Sequence, residues 1–165
     1  KPLWLSCLAS TIKVMNPANW LLLRRVVRFG DTDAAGVMHF HQLFRWCHES
    51  WEESLEQYGL TTADIFPGSR NSEATPEVAL PIVHCQANFR SPIQTGDALV
   101  VELRPEPLNP NSFQVHFEFR CGDHIAAHAL IRHLAINAQT RHRCALPEGI
   151  DRWLEASGLG KIGSI

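Results

Sequence analysis

Two acidic side chains stand two residues apart in a segment of small residues, Asp31-Thr32-Asp33-Ala34-Ala35-Gly36. A long amphipathic pattern follows, so the carboxylates would lie near a helix N-terminus, where outward-pointing backbone N–H groups favour negative charge. One carboxylate could act as nucleophile or general base on an acyl carbon while backbone N–H groups stabilise the oxyanion. The same residues also suit an Asx turn that merely joins a strand to a helix. Spacing and composition leave both interpretations open.

The histidines and cysteines do not form a metal-binding pattern. Histidine groups such as His39 and His41 have no Cys or carboxylate beside them at ligand spacing. A calcium loop starting at Asp31 is excluded, because Ala35 offers no side-chain oxygen and Gln42 occupies the twelfth position. The five cysteines are odd in number and form no C-x-x-C pair, which predicts free, mostly buried thiols in a reducing cytoplasm. We therefore expect no metal and no disulfide framework.

Composition limits the class of protein. The 165 residues include 15 Lys+Arg, 17 Asp+Glu and 45% hydrophobic residues, which predicts one domain with a substantial core. Near-neutral charge argues against a nucleic-acid-binding surface. No apolar run reaches the roughly 18 to 20 residues of a membrane-spanning helix. We expect a soluble globular domain that binds neither nucleic acid nor membrane.

The first residues look separate from the domain. Residues 1–14 lack an initial Met and contain a short apolar run that superficially resembles a signal peptide. Because that run is short and a cytoplasmic cysteine pattern follows, we interpret residues 1–14 as an upstream or non-native extension. The domain is then 15–165, with a core at about 21–147 and a tail at 148–165, in which we expect a helical turn or two over residues 148–157.

A long helix is the clearest predicted element. Apolar residues recur at steps of three and four and define a single stripe: Phe40, Leu43, Phe44, Cys47, Trp51, Leu55 and Tyr58. Glu49 and the other acidic residues fall on the opposite side, and Gly59 is a natural C-terminal stop. The pattern predicts a helix over Phe40–Tyr58.

The remaining elements are predicted strands. A first strand covers residues 21–29, and after residue 78 apolar and polar residues alternate, as in antiparallel strands with one buried face. Residues 105–111 and the pair Gly122-Asp123 separate these strands, and a phase change near Arg132-His133 predicts a β-bulge. The order indicates an α+β fold, with one helix against a five-stranded, mainly antiparallel sheet. Its exposed edges and second face predict self-association.

The segment from Phe29 to Val37, followed by the aromatic-rich helix, resembles the entry motif of hot-dog-fold thioesterases of the 4-hydroxybenzoyl-CoA type. The resemblance spans about residues 22–146. It includes Cys47-His48-Glu49, Ala79-Leu80-Pro81-Ile82-Val83-His84 and the pattern Phe89…Pro92…Gly96-Asp97. These features are most similar to the cyanobacterial 1,4-dihydroxy-2-naphthoyl-CoA hydrolases of phylloquinone synthesis. The resemblance implies a sheet wrapped around one central helix, and cofactor-free thioester hydrolysis.

The resemblance also implies roles for individual residues. It places the catalytic carboxylate at Asp33 and the oxyanion-binding N–H at Phe40. Gly36 would allow the acyl group to approach the backbone closely, and Asp31 would brace the loop by accepting backbone hydrogen bonds. Some related enzymes use a helix glutamate instead, but Glu49 lies opposite the apolar stripe and ranks behind Asp33.

Other residues are candidates for binding the substrate. Arg90, Arg141 and Arg143 could bind the phosphates of coenzyme A, although each also suits an ordinary surface position. His39 and His41 flank the expected oxyanion donor and would either contact substrate hydroxyl groups or face solvent.

We expect hydrolysis of an aromatic acyl-CoA, with 1,4-dihydroxy-2-naphthoyl-CoA as the first candidate. The alternatives are 4-hydroxybenzoyl-CoA or a short acyl-CoA as substrate, or a non-catalytic module that binds acyl-CoA. The family builds active sites between subunits, which predicts a homodimer or homotetramer.

Overall fold

The computed structural model describes residues 16–68 and 76–158; the predicted extension at 1–14 lies outside them. The described α-helices are α1 (Ala18–Leu21), α2 (Phe40–Tyr58), α3 (Thr62–Ile65) and α4 (Glu148–Gly158). The described strands are β1 (Leu22–Val26), β2 (Val78–Ala79), β3 (Ile82–Phe89), β4 (Ala98–Asn109), β5 (Ser112–Cys121), β6 (His124–Leu134) and β7 (Ile136–Asn137). No helix of these ranges is long and apolar enough to cross a membrane.

One antiparallel sheet carries the long helix. The strand order is β1-β4-β5-β6-β3, and a separate pair joins β2 to β7. Helix α2 contacts β3, β4 and β6, and its apolar stripe packs into the core with the inward-facing residues of the sheet. The predicted α+β fold and the predicted bounds of α2 are confirmed. Gly59 ends α2 at φ 110°, a left-handed conformation that favours glycine.

The first residue of the predicted stripe is not buried. Phe40 is 66% exposed, although Leu43, Cys47, Trp51 and Leu55 are buried as expected. Phe40 thus differs from the rest of the predicted stripe, and it is the first residue of α2.

Strand boundaries differ from the prediction in two places. β1 ends at Val26, and Phe29–Asp31 forms a short 3-10 turn instead of continuing the strand. β4 continues to Asn109, through the prolines that were predicted to end it. β1 pairs with β4 only as far as Glu102. Beyond that point one side of β4 is an open edge, where a residue without an N–H is tolerated.

One bulge was not predicted, and the bulge predicted near Arg132-His133 is present with its extra residue on the neighbouring strand. In the β5–β6 pair, Phe119 faces Ala127 and Arg120 faces Ile125, so Ala126 is the extra residue. Opposite Arg132 and His133 the extra residue belongs to β3 instead. The predicted tight hairpin at Gly122-Asp123 is confirmed, with Gly122 at φ 55°.

Strand β3 occupies one edge of the sheet and buries neither face. All of its residues are exposed except Ala87, which is half-buried. Cys85 on this strand is exposed, Cys121 and Cys144 are half-buried, and Cys47 is buried. The described cysteines are free, as expected, but the prediction of mostly buried thiols was wrong, because alternation along β3 does not show that this strand lies at an edge.

The C-terminal tail contributes to the core. α4 has 11 residues, and Ile150, Trp153 and Leu154 on it are buried. The expectation of a helical turn or two underestimated this element, because its short apolar pattern gives no sign of the tryptophan contacts that hold it.

Candidate active site

A groove of about 480 Å³ lies between the loop after β1 and the end of β3. Its walls are formed by two short segments, and they comprise Asp33, Val37, Met38, Phe40, Phe89, Arg90, Ser91, Pro92 and Ile93. The groove thus combines one carboxylate, one guanidinium and one hydroxyl with a mostly apolar lining. Such a lining with few polar groups is typical of small-molecule sites.

Asp33 begins a tight turn at this groove. Its Oδ1 accepts a hydrogen bond from the Ala35 N–H at 2.8 Å, and its carbonyl accepts one from the Gly36 N–H at 3.0 Å. The Asp33 N–H donates to the Val37 carbonyl at 2.9 Å, which closes the loop. Gly36 has φ 78°, and a Cβ there would meet nothing within 4 Å. The turn therefore requires glycine for its backbone conformation, whereas no crowding requires it.

Asp31 holds the same loop from its other end. Its Oδ2 accepts the Arg28 N–H at 2.7 Å, and its carbonyl accepts the His39 N–H at 2.9 Å. These bonds join the 3-10 turn to the residue that precedes α2. Both acids accept local backbone hydrogen bonds, but of the two only Asp33 lines the groove.

The N-terminus of α2 opens onto the groove at Phe40. His39 is the N-cap and makes no side-chain capping bond. Phe40 is the first helical residue, so its N–H has no intrahelical acceptor, and among the described residues no other acceptor receives it. A free N–H at a helix N-terminus can bind an oxyanion.

The opposite wall is fixed by the bulge in β6. The carbonyl of Ala126 accepts the N–H groups of both Arg90, at 2.7 Å, and Ser91, at 3.2 Å. Two residues further on, the Ile93 carbonyl accepts the Met38 N–H at 2.7 Å. The two walls are therefore joined directly by a backbone hydrogen bond.

The other sequence candidates are not in the groove wall. His39 and His41 bind each other, with 2.6 Å between their Nδ1 atoms, so one ring donates to the other. Glu49 accepts a hydrogen bond from the Arg45 side chain at 2.7 Å on the outer side of α2.

Arg141 and Arg143 lie in the exposed loop after β7, near the start of β3. The groove lies at the opposite end of β3, which is eight residues or about 24 Å long. Within one chain, therefore, these two arginines are separated from Arg90 by about the length of a strand.

Sequence reasoning did not identify Ser91 as a site residue. Its Oγ is buried, and no hydrogen-bond partner receives or supplies a proton there among the described residues. A serine after a strand carries no sequence signal of a functional role. Ser91 is recognised as a groove residue only in the structure, where the Ala126 carbonyl holds the backbone of Arg90 and Ser91 in the groove wall.

A family model described as the thioesterase-like superfamily matches residues 27–154, which include every residue of the groove. The chain belongs to this superfamily. Its sheet around one long helix is the hot-dog fold, as the resemblance implied.

Cyanobacterial proteins are among the relatives of this chain. A protein of Prochlorococcus marinus (strain MIT 9313) named 1,4-dihydroxy-2-naphthoyl-CoA hydrolase is 89% identical over 92% of this chain and 100% of its own length. A protein of the same name from Parasynechococcus marenigrum (strain WH8102) is 57% identical over 91% of this chain and 99% of its own. Among solved structures, the Synechocystis 1,4-dihydroxy-2-naphthoyl-CoA thioesterase Slr0204 has a TM-score of 0.72 and 28% identity, covering 81% of this chain and 94% of that one.

Proposed function

We propose that this enzyme hydrolyses 1,4-dihydroxy-2-naphthoyl-CoA to 1,4-dihydroxy-2-naphthoate and coenzyme A, a step of phylloquinone synthesis. The observation that carries the proposal is the shared groove of Asp33 and the N-terminus of α2. Relatives that match almost the whole chain bear the name of this activity. The described cysteines are free, which favours the reducing cytoplasm as the location.

The chemistry follows from the two polar groups. The thioester carbonyl accepts a hydrogen bond from the Phe40 N–H, which stabilises the negative charge that develops on its oxygen. Asp33 either attacks the carbonyl carbon or removes a proton from an attacking water. The C–S bond breaks, the thiolate takes a proton, and one water is consumed by either route.

The lining of the groove suits an aromatic acyl group. Phe40, Phe89 and Pro92 offer apolar surface to a flat ring, and Arg90 is an exposed cation at the same place. We propose that Arg90 binds the phosphates of coenzyme A, because a guanidinium can donate two parallel hydrogen bonds to two phosphate oxygens.

A second copy of the chain would complete the site. β3 is an edge strand with both faces open, and a two-fold axis would pair two copies of it antiparallel. Antiparallel pairing brings the start of one β3 next to the end of the other. Arg141 and Arg143 of one subunit would then lie near the groove of its partner. We therefore propose a homodimer, or a homotetramer built from it, as the active form.

The substitution Asp33→Asn tests the proposal. Asn keeps an oxygen for the Ala35 N–H, so the turn is retained, but it is neither a base nor an effective nucleophile. Release of the thiol from 1,4-dihydroxy-2-naphthoyl-CoA should fall by about 10²- to 10⁴-fold, with an unchanged melting temperature. Asp31→Asn is the matched control and should keep most activity.

Three outcomes would contradict the proposal. Near-wild-type turnover by Asp33→Asn would remove Asp33 from the reaction. A kcat/KM for 4-hydroxybenzoyl-CoA or a short acyl-CoA that exceeds the value for 1,4-dihydroxy-2-naphthoyl-CoA would contradict the proposed substrate. Tight binding without thiol release by the wild-type protein would indicate a module that binds acyl-CoA without hydrolysing it.

A further inference from the structure

The Ser91 hydroxyl is a polar group without a partner inside the wall of the active-site groove. Less than 1 Å² of its oxygen is exposed, and the described residues supply no hydrogen bond to it. A hydroxyl hidden from water normally has a partner, because burial without one is unfavourable. Exceptions in a native structure often have a functional reason.

The backbone around this hydroxyl is held on both sides. The Ala126 carbonyl accepts the N–H of Ser91 itself, and the Ile93 carbonyl accepts the Met38 N–H from the opposite wall. Only rotation about the Cα–Cβ bond remains, and it moves the oxygen among three staggered positions on the same wall. In the described rotamer the oxygen is hidden, so the hydroxyl must turn to a rotamer that faces the groove before it can donate to, or accept from, a bound ligand.

The other residues that line the groove suggest what the hydroxyl would bind. Phe40, Phe89 and Ile93 line the groove with apolar surface, which fits a ring better than the amide groups of the coenzyme A arm. A single polar group in an apolar wall fixes the orientation of a ligand that carries a matching polar group.

We propose that the Ser91 hydroxyl hydrogen-bonds a ring hydroxyl of the aromatic acyl group and selects hydroxylated aromatic thioesters over unsubstituted ones. This inference rests on the proposed function, in which the Asp33 groove holds the acyl group. A site with a buried hydroxyl discriminates against a substrate that leaves this group unpaired.

The test is the ratio of kcat/KM for 1,4-dihydroxy-2-naphthoyl-CoA to kcat/KM for 2-naphthoyl-CoA. Ser91→Ala should lower this ratio by about ten- to hundredfold. An unchanged ratio, or an equal loss for both thioesters, would overturn the inference, because an equal loss means that Ser91 acts on the shared coenzyme A arm or on the fold.

A melting experiment without substrate gives a second readout. Ser54 is a buried serine whose Oγ accepts the Trp153 indole N–H at 3.1 Å, so Ser54→Ala should lower the melting temperature. Ser91→Ala removes an unpartnered hydroxyl and should leave the melting temperature equal or higher. A decrease like that of Ser54→Ala would show a structural partner and overturn the inference. Failure of the proposed function appears separately, as activity retained by Asp33→Asn.

Discussion

The imidazole of His133 shows at the scale of one residue how burial determines a charge state. The ring is 1% exposed and lies between Trp51 and Phe113, with centroid distances of 4.2 and 5.0 Å. Its Nδ1–H donates to the Leu80 carbonyl at 3.0 Å. Burial, with a smaller contribution from nearby His48, lowers the pKa of His133 from 6.5 to about 4 despite the opposing hydrogen bond to Leu80, so the folded protein holds this ring neutral at physiological pH.

His133 should therefore make stability depend on pH. Between pH 6.5 and about 4 the unfolded chain binds one more proton than the folded chain at this site, so the free energy of unfolding falls as the pH falls. Neutral His133 makes its full contribution to the free energy of unfolding above pH 6.5. Acidification removes at most about 3 kcal/mol of this contribution. Urea unfolding of wild type and His133→Phe at pH 7.5, 6, 5 and 4 measures it.

The difference between the two proteins isolates this residue from the other titrating groups. His133→Phe should be less stable at pH 7.5, because the Leu80 carbonyl loses its donor, but should lose less stability towards pH 4. His142→Gln changes an exposed ring and should keep the wild-type slope. Equal slopes for wild type and His133→Phe would contradict the assignment.

Helix α4 is an element whose position depends on two tryptophans. Trp153 on α4 donates to Ser54 on α2, and Trp20 on α1 donates to Ser157 on α4 at 2.9 Å. These two buried bonds connect α4 to α1 and to α2. Such a short helix is not stable alone and depends on these tertiary contacts.

Removing one acceptor should loosen α4. Ser157→Ala leaves the buried Trp20 indole N–H unpaired, which should lower the free energy of unfolding by about 1 to 3 kcal/mol. Chemical denaturation measures this value, with Glu155→Ala on the exposed side of α4 as the control. A Ser157→Ala protein as stable as the control would mean that the bond contributes nothing.

Local elements were predictable where one pattern governs the chain. α2 follows from its period and from Gly59, because burial of one helix face and a left-handed cap act within the segment itself. The end of β4 was mispredicted because Pro105 is tolerated at an open edge, and the sequence of β4 does not state where its neighbour β1 ends. The exposure of Cys85 was missed for a related reason, because the sequence of β3 does not show that this strand lies at the edge of the sheet.

On the scale of the whole molecule, we expect the exposed edge strand β3 to form the interface between subunits. Val83 on β3 is 52% exposed and Leu108 near the end of β4 is 39% exposed. Val83→Lys places a charge on the proposed subunit interface and should shift the mass in solution from a dimer or tetramer towards the 18.6 kDa chain. Light scattering after gel filtration measures the mass.

Leu108→Lys is the matched control, because it makes the same change away from β3 and should keep the wild-type mass. Val83→Lys should also lower turnover, since each groove would lose the arginines of its partner. A wild-type monomer, or a Val83→Lys protein of unchanged mass, would contradict pairing through β3.

The candidate site was predictable only in part. Asp33 and Phe40 could be proposed because the acidic turn and the helix start are adjacent in sequence. The second wall could not, because Arg90 and Ser91 come about fifty residues later and reach the groove through a bulge that lies in a third segment. Patterns along the chain report burial, whereas the groove depends on which strands become neighbours.

The bulge at Ala126 sets a constraint on anyone who would redesign this enzyme. A carbonyl oxygen has two lone pairs, and that of Ala126 uses both, one for Arg90 and one for Ser91. Deleting one residue between Gly122 and Ala126 would shift β6 by one position. The carbonyl that then lies beside Arg90 and Ser91 would point the opposite way, because successive residues of a strand alternate in direction. Side chains at the tip of the β5–β6 hairpin can thus be substituted, but the number of residues in the hairpin must be kept to preserve the active-site groove.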